Sequence, residues 1–267
     1  KYLCFAFPAV GIVLVWGYGG ILSLGQGAFF GLGSYMMAMF LKLESAADAG
    51  SSSGTALAAF FGTAGLPDFM AWNSVEELPW WWEPFHHIWF TIPAIILIPA
   101  FVAFVLGYAN FRRRVSGVYF AIVTLAVSAI LAIVIIGQQG LTGGINGITD
   151  FKTFLGMDLD TDGAKLIMYY ITAVLLIVIL LAARFVLKSR LGRVLVAIRD
   201  SDDRVRYTGY DPAMFQAFIF SVAALFSAIG GAMFTIQIGL ASPALVGIVP
   251  SIEMVIYAAV GGRLSLI

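Results

Sequence analysis

The stretch GYGGILSLGQGAFFGLGSY (residues 17–35) lies inside an uncharged run that extends from residue 2 to residue 41. Seven of the seventeen residues at 17–33 are glycine, and Ser23 and Gln26 are polar. A helix rises about 1.5 Å per residue, so roughly 20 apolar residues cross the hydrocarbon core of a bilayer. The run of 40 residues is twice that length. The sequence therefore predicts two membrane-spanning helices separated near GYGG (residues 17–20).

The composition predicts the same class of protein. Hydrophobic residues make up 61% of the chain and charged residues only 11%, whereas soluble domains carry about 25% charged residues. The single cysteine, Cys4, excludes an intrachain disulfide. We therefore expect an all-α, polytopic transmembrane helical bundle.

Further uncharged spans complete this bundle. They lie at residues 88–107, 115–137, 166–183 and 213–240, with a last one beginning near Ser251. Together with the first run they give about seven crossings in a single transmembrane domain, residues 1–267. Because the chain begins with Lys1 and stops after GGRLSLI, we expect it to be a fragment that continues at both ends.

The charges of the loops orient the bundle. Loop 108–116 carries three arginines and no acid, and loop 184–212 carries seven basic residues against four acids. Loop 42–87 carries one lysine against six acids, and loop 138–165 carries two lysines against four acids. The positive-inside rule therefore predicts that loops 108–116 and 184–212 are cytoplasmic and that the other two are external.

The external loop 42–87 ends in a tryptophan-rich segment. Trp80, Trp81 and Trp82 precede the third span and Trp89 lies at its start, which is typical of a belt at the membrane interface. A role in shaping an entrance is the alternative. The histidines of this segment, at positions 86 and 87, are adjacent and do not have the spacing of metal ligands on one face. We expect no metal site.

The chain shows no catalytic constellation. No Gly-x-x-x-x-Gly-Lys-Ser/Thr phosphate loop is present, so the chain does not bind ATP in that way. Ion-coupled carriers place acids or ion pairs inside their spans, and the spans between residues 2 and 240 have none at their centres. Glu253 and Arg263 lie near the last span, where Glu253 could simply suit the N-terminus of a helix. We expect a path lined by neutral polar groups.

Small residues recur at helical spacing in two spans. Ser23, Gly27 and Gly31 fall at i, i+4 and i+8, and Ala223, Ser227 and Gly231 repeat this spacing near the C-terminus. Such faces let helices approach closely, which is the simplest interpretation. Gln26 lies beside the first face at membrane depth, where an amide needs a partner or water. This favours a packed helix that also borders a polar path.

The segment LGRVLVAIRDSDDRVRYTGYDPAMFQAF (residues 191–218) is amphipathic. Leu191, Leu195, Ile198 and Val205 form an apolar stripe, and arginines and aspartates occupy the rest. A purely basic helix would rest on anionic lipid. Because acids alternate with bases here, we expect a docking helix for a cytoplasmic partner.

Three stretches carry a family resemblance: LSLGQGAFFGLGSY, GRVLVAIRDSDDRVRYTGYDP and GLASPALVGIVPSIEMVIYAAVGGR. They resemble the branched-chain amino acid permease family of ABC importers. GVYFAIVTLA and GQQGLTGGINGITDFKTFLG further resemble the urea-transporting permease subunits of that family. The resemblance implies a multi-pass subunit of a prokaryotic cytoplasmic (inner) membrane, without a cofactor or a nucleic-acid partner. It implies as partners a second homologous permease subunit, two ATP-binding cassette ATPases, a periplasmic urea-binding protein and membrane lipid.

The resemblance also implies a coupling helix that contacts the ATPase. The family pattern Glu-Ala-Ala-x-x-x-Gly keeps its spacing from Asp203 to Gly209, although Arg204 and Val205 replace the two alanines. We expect the coupling residues to be Arg199, Asp200, Asp203, Arg204, Arg206 and Gly209.

The primary hypothesis is an ATP-driven importer of urea, or of a closely related small amide, that works by alternating access. The expected path residues are Ser23, Gln26, Gln138 and Gln139, and the expected helix-packing residues are Gly27, Gly31, Ser227 and Gly231. A permease for branched-chain amino acids of the same family is the nearest alternative. A passive polar-solute channel or an ion-coupled carrier is an alternative from another class.

Overall fold

The structure of the protein is a computed structural model that describes residues 2–50, 67, 69, 70, 73, 77–115, 117–151, 153–159 and 161–262. Most of the Gly/Ala/Ser-rich half of loop 42–87 lies outside the described residues, as does Arg263. The described part of loop 42–87 consists of its helical start and its tryptophan-rich end.

The described chain is a helical membrane bundle. The spans predicted at residues 88–107, 115–137, 166–183 and 213–240 correspond to four separate long helices. In chain order, the helices are α1 (Tyr2–Ile12), which continues as a π-helical segment (Val13–Tyr18), α2 (Gln26–Gly50), α3 (Ile88–Arg112), α4 (Val118–Gly137), α5 (Asp162–Lys188), α6 (Arg190–Asp200), α7 (Asp202–Tyr207), α8 (Pro212–Ile238) and α9 (Ile248–Val260).

Short elements cap one end of the bundle. Strand β1 pairs antiparallel with β4, and β2 pairs antiparallel with β3. The first pair ties loop 138–165 to the chain that follows α8. The strands are β1 (Ile148–Thr149), β2 (Thr153–Phe154), β3 (Met157–Asp158) and β4 (Leu240–Ala241), and the short helical turns are Gln139–Thr142, Glu83–His86, Gly144–Asn146 and Pro243–Leu245.

The loops segregate by charge to opposite ends. Gly20, Arg114 and Arg199 line one cavity of about 380 Å³, so GYGG and the two basic loops lie at the same end. At the other end, Lys42 donates a hydrogen bond to the carbonyl oxygen of Thr149, which joins the two acidic loops. We call these the basic end and the acidic end. The arrangement agrees with the alternation that the positive-inside rule requires, and the direction in the membrane stays a prediction.

Four described helices are long and apolar enough to cross a membrane by length and composition: α3, α4, α5 and α8. The helices Tyr2–Tyr18 and Ile248–Val260 are apolar but shorter. α2 has 25 residues, but its sequence is more polar and its sides are buried inside the bundle. The count of seven crossings therefore stays a prediction.

The centre of the bundle is the parallel packing of α2 against α8. The Ser34 and Thr235 hydroxyls lie 2.6 Å apart, and the Ser227 hydroxyl lies 2.8 Å from the Gln26 side chain. Both pairs are separated by 201 positions in the sequence, so the two helices keep one register over two turns. Gly231 belongs to the same register, because a Cβ at this position would collide with the carbonyl oxygen of Phe30.

α1 packs antiparallel on another side of α8. A Cβ on Gly11 would lie 2.9 Å from the Ala223 carbonyl oxygen, and a Cβ on Gly230 would lie 2.8 Å from the Phe7 Cβ. Both distances are shorter than carbon contacts allow, so these positions need glycine if the helices are to stay this close. The small residues of α8 therefore bring α1 and α2 against two of its sides.

An irregular segment, the central loop (residues 19–25), joins α1 to α2. Gly20 at its start has φ +68°, a left-handed conformation that favours glycine. The spacing of Ser23, Gly27 and Gly31 predicted a helix that includes Ser23, but α2 begins at Gln26. Ser23 therefore lies before the helix and does not share a helical face with Gly27 and Gly31.

The tryptophan-rich segment divides between two environments. Trp80 and Trp89 are 81% and 74% exposed, as expected for side chains at a membrane interface. Trp82 is fully buried, with its ring centroid 5.9 Å from those of Trp81 and Phe69. One part of the segment thus belongs to the hydrophobic core.

Candidate translocation and coupling sites

The start of α2 meets the start of α9 in the middle of the bundle. The backbone N–H of Gly27 donates to the Ser251 hydroxyl at 3.2 Å, and this hydroxyl lies 3.1 Å from that of Ser128. Ser128 also donates to the carbonyl oxygen of Val246, in the chain just before α9. Both serine side chains are fully buried. We call this cluster of buried hydroxyls, together with Gln26 and Ser227, the central junction.

The central junction lies far from both ends of the bundle. Ser128 is near the middle of α4, and Ser227 is near the middle of α8. In the central loop, the N–H groups of Gly19 and Ile21 still bond to the carbonyl oxygens of Leu14 and Val15 in the preceding segment, but the residues that reach this depth need other partners. The Thr124 hydroxyl supplies one by accepting the Leu24 N–H at 3.1 Å. Side-chain hydroxyls therefore make an irregular backbone tolerable at this depth.

Gln26 carries a buried polar atom without a partner. Its side chain is fully buried, and within the described residues its Nε2 has no hydrogen-bond partner. The Ser227 hydroxyl lies within reach of both Gln26 Oε1 and the Ala223 carbonyl oxygen, at 2.8 Å and 3.0 Å. If the amide were turned over, Nε2 would face Ser227 and Oε1 would be left alone. In either orientation one amide atom stays available to a further hydrogen-bonding group.

The four expected path residues lie in two places. Ser23 and Gln26 are buried at mid-depth, and Ser23 Oγ lies 3.5 Å from the Gly25 N–H. Gln138 and Gln139 are exposed at the acidic end. There Gln139 lines a cavity of about 150 Å³ beside Asp150. The structure thus separates a central polar cluster from an outer one.

Sequence reasoning missed three residues of the central region. Thr124, Ser128 and Ser251 each hold backbone or side-chain groups of another segment in place. The sequence feature that could have identified these residues is a hydroxyl side chain within an otherwise apolar run. The same signal also fits a side chain that bonds only to its own helix, as Thr172 does to the Met168 carbonyl oxygen. The contacts across the bundle are what distinguish the two cases.

The expected coupling residues gather around α6 and α7 at the basic end. Arg206 pairs with Asp202 across one helical turn, with N–O 3.0 Å, and Arg199 pairs with its neighbour Asp200 at 3.1 Å. Both pairs are partly exposed, so neither contributes much stability. Asp203, Arg204 and Gly209 are exposed, and Gly209 ends the turn with φ +87°.

A cleft of about 570 Å³ lies between α6 and α7. Arg190, Arg193 and Arg204 line it together with Asp200 and Tyr210. Its basic and aromatic lining, next to an exposed short helix, is a surface that suits a protein partner with acidic groups.

Arg199 fastens this surface to the start of the central loop. Its guanidinium donates to the Gly17 carbonyl oxygen at 2.8 Å. A Cβ on Gly20 would lie 2.8 Å from the Arg199 Cγ, so the arginine stem packs directly on the left-handed turn. α6 is therefore attached to the segment that leads to Gln26.

The pairing of Gln26 with Ser227 gives a testable stability difference. We expect Ser227→Ala to lower the free energy of unfolding by about 1–3 kcal/mol, because it leaves the buried amide without any partner. The double variant Gln26→Met/Ser227→Ala should be closer to the parent protein, since it removes both polar groups. Thermal unfolding of the purified protein in detergent measures both. A single variant as stable as the parent protein would contradict the assignment.

Comparison with known proteins gives the family. The chain is 24% identical over 256 residues to "High-affinity branched-chain amino acid transport system permease protein LivM" of Salmonella typhimurium, covering 88% of this chain and 50% of the relative. The protein of the same name from Escherichia coli K12 gives the same identity and coverage. The chain thus spans about half the length of the curated relatives it matches. No solved structure matches it significantly. The family described as "Branched-chain amino acid transport system / permease component" matches residues 2–267, so the chain belongs to this family of ABC-importer membrane subunits, which have no catalytic activity of their own.

Proposed function

We propose that the chain is a permease subunit of an ATP-driven importer that moves urea across the cytoplasmic membrane. The observation that carries the proposal is the central junction, an uncharged polar cluster in the middle of an apolar bundle with one unpaired amide atom on Gln26. Urea is small and neutral, with N–H donors and one carbonyl acceptor. Hydroxyl and amide groups can exchange hydrogen bonds with it without the cost of burying a charge.

Such an importer needs other subunits. The sequence has no phosphate loop, so ATP hydrolysis would fall to two ATP-binding cassette ATPases. A second homologous permease subunit would complete the path, and a periplasmic binding protein would deliver urea to the acidic end. Family membership and the division of the loops by charge support this assignment.

The proposed mechanism is alternating access driven from the basic end. Closure of the ATPases would move α6 and α7 through contacts at Asp203, Arg204 and Gly209. Arg199 would transmit the motion, because its guanidinium holds the Gly17 carbonyl oxygen and its stem lies on Gly20. The central loop would then shift against α4, and the start of α2 against α9. Leu24 of the loop and Gly27 of α2 each donate one backbone hydrogen bond to a hydroxyl group there, and such bonds can be exchanged at low cost.

Transport of branched-chain amino acids is the second candidate, since the two relatives carry that description. A zwitterion would need both a positive and a negative group in the path. The central junction has no positively charged side chain that could bind the carboxylate of an amino acid, and this favours urea. A passive channel is the alternative from another class of protein. Dependence of uptake on ATP distinguishes an importer from such a channel.

Uptake by the reconstituted complete importer tests the substrate. We expect ATP-dependent accumulation of radiolabelled urea that excess acetamide reduces and excess leucine does not. The control is a complex whose ATPases cannot hydrolyse ATP, which should accumulate no urea. Accumulation of leucine instead of urea, or equal uptake without ATP, would contradict the proposal.

Arg199→Ala tests the proposed transmission from α6 to the central loop. Loss of the guanidinium contact should lower urea uptake about tenfold or more, the effect of a lost charge-assisted hydrogen bond. ATP hydrolysis without urea should remain near the parent rate, because the Arg199 guanidinium contacts Gly17 and its stem packs on Gly20. The comparison variant is Arg193→Ala on the same helix, which lines the docking cleft and should lower ATP hydrolysis and urea uptake together. Equal losses of hydrolysis and uptake in Arg199→Ala would refute the transmitting role.

A further inference from the structure

Glu253 is an acidic residue at mid-depth on the surface of the bundle, and the proposed function assigns it no role. It is the sixth residue of α9 and is exposed. Two residues earlier, Ser251 contacts Ser128 near the middle of α4. Four residues later, the Tyr257 ring lies 6.3 Å from the ring of Phe5, which belongs to α1. Contacts on both sides of Glu253 therefore fix its depth inside the apolar part of the bundle.

The exposed side of α9 is apolar apart from this acid. Val249 and Val260 are 67% and 84% exposed, and Ile252 and Ile256 are exposed beside Glu253. Within the described residues, no hydrogen bond or ion pair reaches the Glu253 carboxylate. Glu253 lies in the second turn of α9, past the first-turn position at which the helix dipole stabilises an acid most.

Placing a carboxylate in lipid costs free energy, and this cost limits what the exposed side of α9 can contact. Acids inside spans almost always face a bundle interior or a water-filled cavity, because hydrocarbon does not solvate them. The apolar spans of α3, α4 and α5 carry no ionisable acid or base at residues 88–107, 118–137 and 166–183, which is typical of lipid-facing helices. α9 differs from them by this one charge. Its exposed side therefore faces water or a neighbouring subunit rather than lipid.

We propose that Glu253 lines the substrate path and accepts hydrogen bonds from the N–H groups of urea. This inference rests on the proposed function. The two carboxylate oxygens can accept one N–H from each of the two amino groups of urea, in the paired geometry that carboxylates form with planar donors. Ser251, in the first turn of α9, belongs to the central junction, so the neutral and the charged polar groups follow one another along this helix. No proton is transferred, and urea leaves unchanged.

Chemical labelling of the complete importer tests whether Glu253 meets water. The variant Glu253→Cys is made in a Cys4→Ala background, so that it carries the only cysteine of this subunit. A charged methanethiosulfonate reagent reacts with thiols in water and hardly with thiols in lipid. We expect Glu253→Cys to react, and the matched control Val174→Cys, exposed on α5, to stay unlabelled. An unlabelled Glu253→Cys would overturn the proposal.

Transport by Glu253→Gln and Glu253→Leu tests contact with urea. We expect the maximal urea uptake rate to fall about tenfold in Glu253→Gln, the change for one weakened charge-assisted hydrogen bond. It should fall further in Glu253→Leu, while assembly and basal ATP hydrolysis stay at parent levels. Parent-like uptake by Glu253→Leu would overturn the proposal.

Two further outcomes separate competing explanations. If the charge paired with a base of the second permease, Glu253→Gln would dissociate the complex in size-exclusion chromatography, which would overturn the contact with urea. If the importer carried leucine and not urea while Glu253→Cys still reacted, the proposed substrate would be wrong. The position of Glu253 in the path would then stand.

Discussion

The close parallel packing of α2 on α8 is the constraint on which the rest of the structure depends. Its register is set by the pairs Gln26–Ser227 and Ser34–Thr235 and by the contact of Gly231 with the Phe30 backbone. In a membrane, association of helices relies on such packing and on hydrogen bonds, since lipid is as apolar as leucine. Close packing of small residues therefore stabilises this interface, whereas burial of large apolar side chains stabilises the core of a soluble protein.

This packing fixes where α2 begins and so creates the polar centre of the bundle. With Gln26 held beside Ser227, the seven residues 19–25 must lead from the basic end to mid-depth without a helix. The Thr124 hydroxyl accepts the Leu24 N–H within this segment, and the Ser251 hydroxyl accepts the Gly27 N–H in the first turn of α2. Arg199 anchors the other end of the same segment at Gly17. One short segment thereby connects the proposed ATPase-binding surface with the proposed substrate path.

The sequence predicts the helical class, the family and four of the long helices, because uncharged runs of sufficient length allow few other structures in a membrane. It places the break at residues 17–20 for the same reason. It does not place the start of α2 at Gln26, since the hydroxyls that bind the N–H groups of Leu24 and Gly27 lie 100 and 224 positions away in the sequence. Gln138 and Gln139 follow a span, and sequence alone cannot tell a position at its outer end from one inside the path. Trp82 differs from Trp80 only by tertiary contacts.

The register of α2 on α8 can be measured directly by a disulfide. The variant Ser34→Cys/Thr235→Cys, in a Cys4→Ala background, replaces two hydroxyls that are 2.6 Å apart. A protease site inserted at residues 51–54 divides the chain between the two cysteines. After mild oxidation and cleavage in membranes, we predict that the two pieces migrate together until reductant is added. Single-cysteine variants serve as controls. Pieces that separate without reductant would contradict the central packing.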